Sequence, residues 1–198
     1  MSFLHDRNLL DLLEQLPAKE LDIQVWRVAW RSRHALDVGG GGRWNPPGRF
    51  DAVYTSLEAD GAMAEVYHYL SRAPVFSSAE KVMYRIDART NRTAVLDDPE
   101  QLRRRGLDPG QFQDVNPMLC QEIGSAAHLL EYDSLLVPSA RWNCMNLVLF
   151  PDYIPLDSLV PDDGKPVNWP AWRDANEAEY ARIRREGIDL WNKPVTRS

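Results

Sequence analysis

Hydrophobic positions along the chain follow two rhythms. Leucines 9, 10, 12, 13 and 16 form a stripe with helical spacing over residues 7–16. Pro17 ends that helix, because its ring cannot sit inside one. Over residues 23–30 the period drops to two: Val25, Arg27 and Ala29 face one way, Trp26, Val28 and Trp30 the other. The run Gly39-Gly40-Gly41-Gly42-Arg43-Trp44-Asn45-Pro46-Pro47-Gly48 then reads as a loop. Residues 52–56 make a short strand, and Thr55 and Glu58 stand at capping-box spacing, which predicts a helix from there to about Ser71.

Alternation returns over residues 81–87, and residues 92–96 form a second, separate strand candidate. Residues 99–105 suit a short helix. Residues 117–130 suit a longer one, weakened by Gly124. Two apolar segments, 134–137 and 146–150, read as buried strands joined through Pro138-Ser139-Ala140-Arg141. Residues 161–170 have the composition of a linker. The Arg- and Glu-rich residues 171–186 suit a helix packed through Trp172, Tyr180 and Ile183, with its other face solvated. Short strands with intervening helices and no internal repeat give an α+β class.

Composition narrows the function more than the fold. The chain has 198 residues, enough for one domain plus a terminal extension. No apolar run approaches the roughly 18 residues that span a bilayer, so no membrane association is expected. The N-terminal stretch mixes charges with its leucines, unlike a signal peptide. A cytoplasmic protein is therefore expected, either resident or delivered into a target cell. Cys120 and Cys144 read as reduced core thiols, and the scattered His5, His34, His68 and His128 give no metal site. A net charge of −6 argues against direct nucleic-acid binding, yet a few local arginines can still bind an anionic small ligand.

Three places carry candidate chemistry. In the glycine run, backbone N–H groups beside the Arg43 guanidinium suit a phosphate or pyrophosphate, although the spacing is neither a dinucleotide fingerprint nor a P-loop. A flexible surface loop is the alternative. Glu65 shares a helical face with Ala62 and Tyr69, and a carboxylate on an apolar face is either ion-paired or functional. Ser139 sits in a turn between buried strands, without the flanking glycines of a hydrolase nucleophile. There it either meets a ligand or bonds its own backbone. His68 reads as a packing or hydrogen-bonding residue.

The order V-W-R-V, G-G-R-W-N-x-x-G, V-Y-T-S, A-x-A-E-V-x-x-H, L-x-V-P-S-A and N-L-V-L-F-P, over residues 25–151, resembles the RES-domain family. The resemblance divides the chain into an N-terminal helix and lead-in (1–22), a RES domain (23–160) and a C-terminal linker and helix (161–198). It implies an ADP-ribosyltransferase-like fold, with small antiparallel sheets around an NAD cleft and flanking helices. It also implies an NAD-consuming toxin, a glycohydrolase or phosphorylase, with NAD as substrate and no tightly bound cofactor. An Xre-like helix-turn-helix antitoxin, or another immunity protein, is the implied partner. By position, Arg27 and Arg43 match the basic residues, Tyr54 the cleft aromatic, Glu65 the acid and Ser139 the serine, with Asn146 a looser match. Glu65 would then stabilise a cationic ribose, Arg43 and Arg27 would clamp the pyrophosphate, and Tyr54 would stack on nicotinamide or hold the ribose. Trp44, Asn45, Ser139 and Asn146 would contact NAD. No metal is required, because nicotinamide is already a cationic leaving group. Two alternatives share the pocket: a protein ADP-ribosyltransferase, separable by labelled protein, and a silent NAD- or partner-binding module, separable by whether NAD is consumed.

Overall fold

The computed structural model describes residues 7–38, 40–72, 80–114 and 116–187. Gly39, His5 and the last residues of the C-terminal extension lie outside them. Seven strands form one sheet: β1 (Lys19–Trp30), β2 (Val53–Ser56), β3 (Lys81–Val95), β4 (Ser134–Pro138), β5 (Met145–Leu149), β6 (Leu159–Pro161) and β7 (Lys165–Pro166). The helices are α1 (Arg7–Glu14), α2 (Ala59–Leu70), α3 (Pro99–Arg104), α4 (Met118–Leu129) and α5 (Trp169–Glu186). Among the described residues no helix is long and apolar enough to cross a membrane.

The path β1-β2-β5-β4-β3 closes on itself, because β3 also pairs with β1. This corrects the expectation of separate small antiparallel sheets: the strands are continuous, and β3 and β4 run parallel. The cause is the length of β3. Two strands are expected here, yet it runs unbroken for 15 residues, pairing with β1 from Lys81 to Thr93, across a shift in register, and with β4 from Thr93 to Val95. Polar Asn91 and Arg92 are tolerated there because the Asp133 carboxylate accepts from both backbone N–H groups, at 2.6 and 3.0 Å. Thr90, Thr93 and Ser134 continue a buried hydroxyl chain beside it.

β5 alternates between two cores, as a central strand must. Val148 packs with Leu13, Phe112, Ile123, Tyr132 and Phe150 under α1 and α4, while Leu147 and Leu149 pack with Val25, Ile86 and Leu159 on the other side. A third cluster joins α2 to α5 through Met63, Trp142, Trp172, Tyr180 and Ile183. The three residues expected to pack the C-terminal helix are the buried ones.

Two local expectations are corrected. The capping box does not form, because Thr55 lies inside β2 and its hydroxyl donates to the Leu147 carbonyl at 2.7 Å. Ser56 Oγ instead accepts from the Glu58 N–H. Residues 161–170 are not a linker: β6 ends and β7 lies within them, both pairing with β3, and α5 has already begun at Trp169. Gly124 also has a positive role. A Cβ there would collide with the Trp44 carbonyl oxygen, so glycine lets α4 press directly on the loop.

Candidate active site

A cleft of about 320 Å³ opens where the glycine loop, β1, β2, α2 and the β4–β5 turn meet. Arg27, Arg43, Tyr54, Glu65 and Asn146 all line it, brought together from four elements and a loop.

Glu65 is half-buried on α2, and its Oε1 accepts two hydrogen bonds, from Ser139 Oγ at 2.8 Å and from Asn146 Nδ2 at 3.0 Å. Oε2 has no hydrogen-bond donor among the described residues. One oxygen is thus fixed and the other carries no hydrogen bond among the described residues. Asn146 reaches this point because β5 pairs Asn146 with Ser56 on β2 and with Val137 on β4. Its Oδ1 is buried and has no partner.

Ser139 is fully buried and does not line the cleft. Its Oγ accepts from the backbone N–H groups of Arg141 and Trp142 and donates to Glu65. The expected contact with a dinucleotide is therefore replaced by two tasks: shaping the turn and orienting the carboxylate.

The loop wall is more self-contained. The Tyr54 hydroxyl accepts from the Trp44 N–H at 2.8 Å and donates to Asn45 Oδ1 at 2.7 Å. Burial pushes the Tyr54 phenol well above its usual range. A Cβ at Gly42 would stand 2.5 Å from that hydroxyl, so the loop closes over the ring only with glycine. Asn45 is buried, its amide taken up by Tyr54 and the Phe50 carbonyl, and it does not line the cleft. Trp44 touches the cleft but is 2% exposed, its indole edge-on to Phe112 in the core. Both residues hold the loop in shape, since a large aromatic gains more from the core than from an open cleft.

Arg43 Nη1 donates to the carbonyls of Phe112 and Asp114, each at 2.9 Å, which tethers the loop and aims the guanidinium. Arg27 Nη2 donates to the Asp37 carbonyl, while its Nη1 is buried without a partner. Burial lowers the Arg27 pKa to about 10, against the opposing pull of Asp37. Arg27 stays charged at neutral pH, with one donor unused.

Two further cleft residues had not been singled out. Arg141 follows the V-P-S-A segment directly, and its position in the turn was the available signal. Tyr69 lies one helical turn beyond Glu65 and is 69% exposed, a ring offered at the cleft mouth. His68, on the far side of α2, bonds Tyr180 and Arg72 and faces α5, as a packing residue would. Cys120 and Cys144 are buried free thiols, with Cys144 pushed up to about 12 by burial.

In charge, the cleft inverts the chain. Three arginines and one glutamate line it, in a protein of net charge −6. An anionic ligand is drawn to such a site whatever the global charge.

Comparison with known proteins places this geometry in context. The family model described as "RES domain" matches residues 24–174. The NAD(+) phosphorylase MbcT of Mycobacterium bovis is 31% identical over 150 residues, covering 71% of this chain and 80% of the relative. MbcT of Mycobacterium tuberculosis H37Rv matches to the same extent. Among solved structures, a chain in the crystal structure of the M. tuberculosis MbcT–MbcA toxin–antitoxin complex superposes with a TM-score of 0.75 at 24% identity. That match covers 85% of this chain and 97% of the other.

Proposed function

The chain belongs to the RES-domain family, and on that premise we propose that it is an NAD-consuming toxin that breaks the bond between nicotinamide and ribose. The observation that carries this reading is a single carboxylate, held by Ser139 and Asn146, among three arginines in one cleft. The bond leaves its electron pair on nicotinamide, which departs neutral, and positive charge grows on the ribose. Glu65 stabilises that charge through space, or through a ribose hydroxyl bonded to Oε2. Asn146 and Ser139 keep the carboxylate from rotating away. Arg43 and Arg27 clamp the pyrophosphate, with Arg27 Nη1 supplying an unused donor. Tyr54 forms the wall against which nicotinamide or its ribose rests, and Tyr69 offers a ring for stacking at the mouth.

We read the architecture around this cleft as ADP-ribosyltransferase-like, with the NAD-facing strands belonging to one continuous sheet. The RES unit takes in β6, β7 and the start of α5. By analogy with the relative's toxin–antitoxin complex, a protein antitoxin encoded alongside restrains the activity, and the enzyme works in the cytoplasm, where NAD is abundant.

The direct test is to incubate the purified chain with NAD, with and without inorganic phosphate, and to separate the products. Nicotinamide should appear in step with ADP-ribose or its 1″-phosphate. Undiminished NAD under both conditions would sink the proposal, and label retained on protein would redirect it to ADP-ribosyl transfer.

A further inference from the structure

The positive charge of the cleft does not stop at its lining. Arg141 lines it, close enough to Tyr69 and Tyr180 to feel both. Just outside, the exposed Arg72 follows the end of α2, and the exposed Arg184 stands in the last turn of α5. The two helices meet there. His68 Nδ1 lies 3.2 Å from the Tyr180 hydroxyl, and Arg72 Nη1 lies 3.2 Å from His68 Nε2. Arg184 is one helical turn beyond Tyr180. Tyr69, next to His68 in the chain, carries its exposed ring to the same mouth.

Other arginines of α5 are neutralised on their own helix. Arg173 pairs with Asp174, Arg182 with Glu179 and Glu186, and Arg185 with Glu186. Arg184 has Tyr180, Ala181 and Gly187 at the spacings where an acid would pair with it. Neither Arg72 nor Arg184 enters an ion pair among the described residues. His68 registers the resulting field: besides burial, Arg141, Arg72, Arg184 and Arg43 all oppose its protonation. Cations near the ends of two helices also answer the helix dipoles. That role does not require them to converge on the mouth of a nucleotide cleft, in a chain of net charge −6. The pyrophosphate of NAD carries two negative charges, met by Arg27 and Arg43, so the mouth has cations to spare.

Resting on the NAD-cleaving reading of this cleft, we propose that the mouth is a 2′-phosphate site, and that the enzyme takes the 2′-phosphorylated dinucleotide, NADP, in preference to NAD. The adenine stacks on the Tyr69 ring. Arg72 and Arg184 hold the 2′-phosphate of the adenosine ribose, each guanidinium fork matching two of its oxygens. The span is suitable: from Glu65 to Arg72 the chain advances seven residues, about 10 Å along a helix, and a dinucleotide bridges such a length between its two riboses. NAD offers only a neutral hydroxyl at this point and leaves both arginines in water. The bond broken is the same in either dinucleotide, so the preference lies in binding.

The test has a binding arm and a turnover arm. Calorimetry compares adenosine 2′,5′-bisphosphate with adenosine 5′-monophosphate, and nicotinamide release is measured against NADP and against NAD. The parent should bind the bisphosphate about tenfold or more tightly, and should show a correspondingly lower KM for NADP. The double variant Arg72→Gln, Arg184→Gln should lose that preference while its KM for NAD stays within about twofold. The double lysine variant should keep part of the preference, because it retains the charges without the forks, and it carries the same test if the glutamine variant does not fold. Equal affinity of the parent for the two adenosine phosphates overturns the inference. So does a double glutamine variant in which the KM values for NADP and NAD rise together, which would make the patch a general attractor of anions. A parent that cleaves NAD and leaves NADP intact overturns it too, with NAD cleavage still standing. A parent that prefers the bisphosphate but cleaves neither dinucleotide supports the 2′-phosphate site and removes the cleavage reading.

Discussion

The two walls of the cleft handle their polar groups in opposite ways. On the loop wall nearly every donor and acceptor is taken: Tyr54 bridges Trp44 and Asn45, Gln121 donates to the Gly42 carbonyl, and Arg43 is tethered to Phe112 and Asp114. On the helix and turn wall, valence is held back. Glu65 uses one oxygen, and Asn146 Oδ1 and Arg141 Nε have no partner. A buried polar group without a partner is costly, and such groups gather where a ligand will complete them. The loop wall gives the cleft its shape, and the opposite wall holds its unpartnered polar atoms.

That contrast is open to attack first at Glu65, where the largest effect is expected. Glu65→Gln preserves size and hydrogen-bond reach but removes the charge. Turnover should fall about a hundredfold or more, on the scale of losing one electrostatic stabiliser, with NAD affinity little changed. Single-turnover nicotinamide release and calorimetric binding measure the two separately. If both remain at the parent's level, the reactive wall has been assigned to the wrong side.

Arg43→Ala should behave in the opposite manner, because its side chain serves the loop as well as the ligand. NAD affinity should drop by about 1.5–3 kcal/mol if a charge-assisted bond is lost, and the thermal midpoint should drop with it. Arg43→Lys should recover only part of each. Weaker binding with unaltered stability would show that the loop does not depend on its tether.

The smallest effect concerns the back of the helix wall, where His68 bonds Tyr180 and Arg72. Burial, helped by Arg141, Arg72 and other nearby arginines, lowers the His68 pKa to about 4 from 6.5. The unfolded chain therefore takes up this proton first. The contribution to stability is complete above about pH 6.5 and is lost as pH falls towards 4. Urea midpoints at pH 7.5 and pH 5 should differ more for the parent than for His68→Gln. Equal differences would mean that acid acts elsewhere.

Much of this arrangement was legible in the residue order. The stripe of leucines, the alternation around Arg27 and the apolar runs near Asn146 each announce an element through local periodicity. Arg43 and Glu65 stand out because their neighbours are loop-forming or apolar, whereas Tyr54 is marked only by the resemblance to the RES-domain family. What stayed hidden depended on contacts distant in sequence. The union of two short strand candidates into β3 needed Asp133 to cap a polar stretch. Trp44 and Asn45 looked like ligand contacts, and only the positions of Phe112 and Phe50 reveal their inward roles. Arg141 was passed over because an arginine after a turn serine is ordinary until its Nε is seen buried without a partner. The function of Gly124 required knowing that Trp44 lies against it.

The closed path of strands has a bearing on timing. β5 is inserted between β2, made much earlier, and β4, made just before it. Until β5 has left the ribosome, no hydrogen-bonded ladder ties β2 to β4, and Asn146 is not there to hold Glu65. The trio of Glu65, Ser139 and Asn146 spans 81 residues of chain, so it assembles only after most of the polypeptide exists. The trio therefore forms all at once, late in synthesis, and no shorter nascent chain contains it.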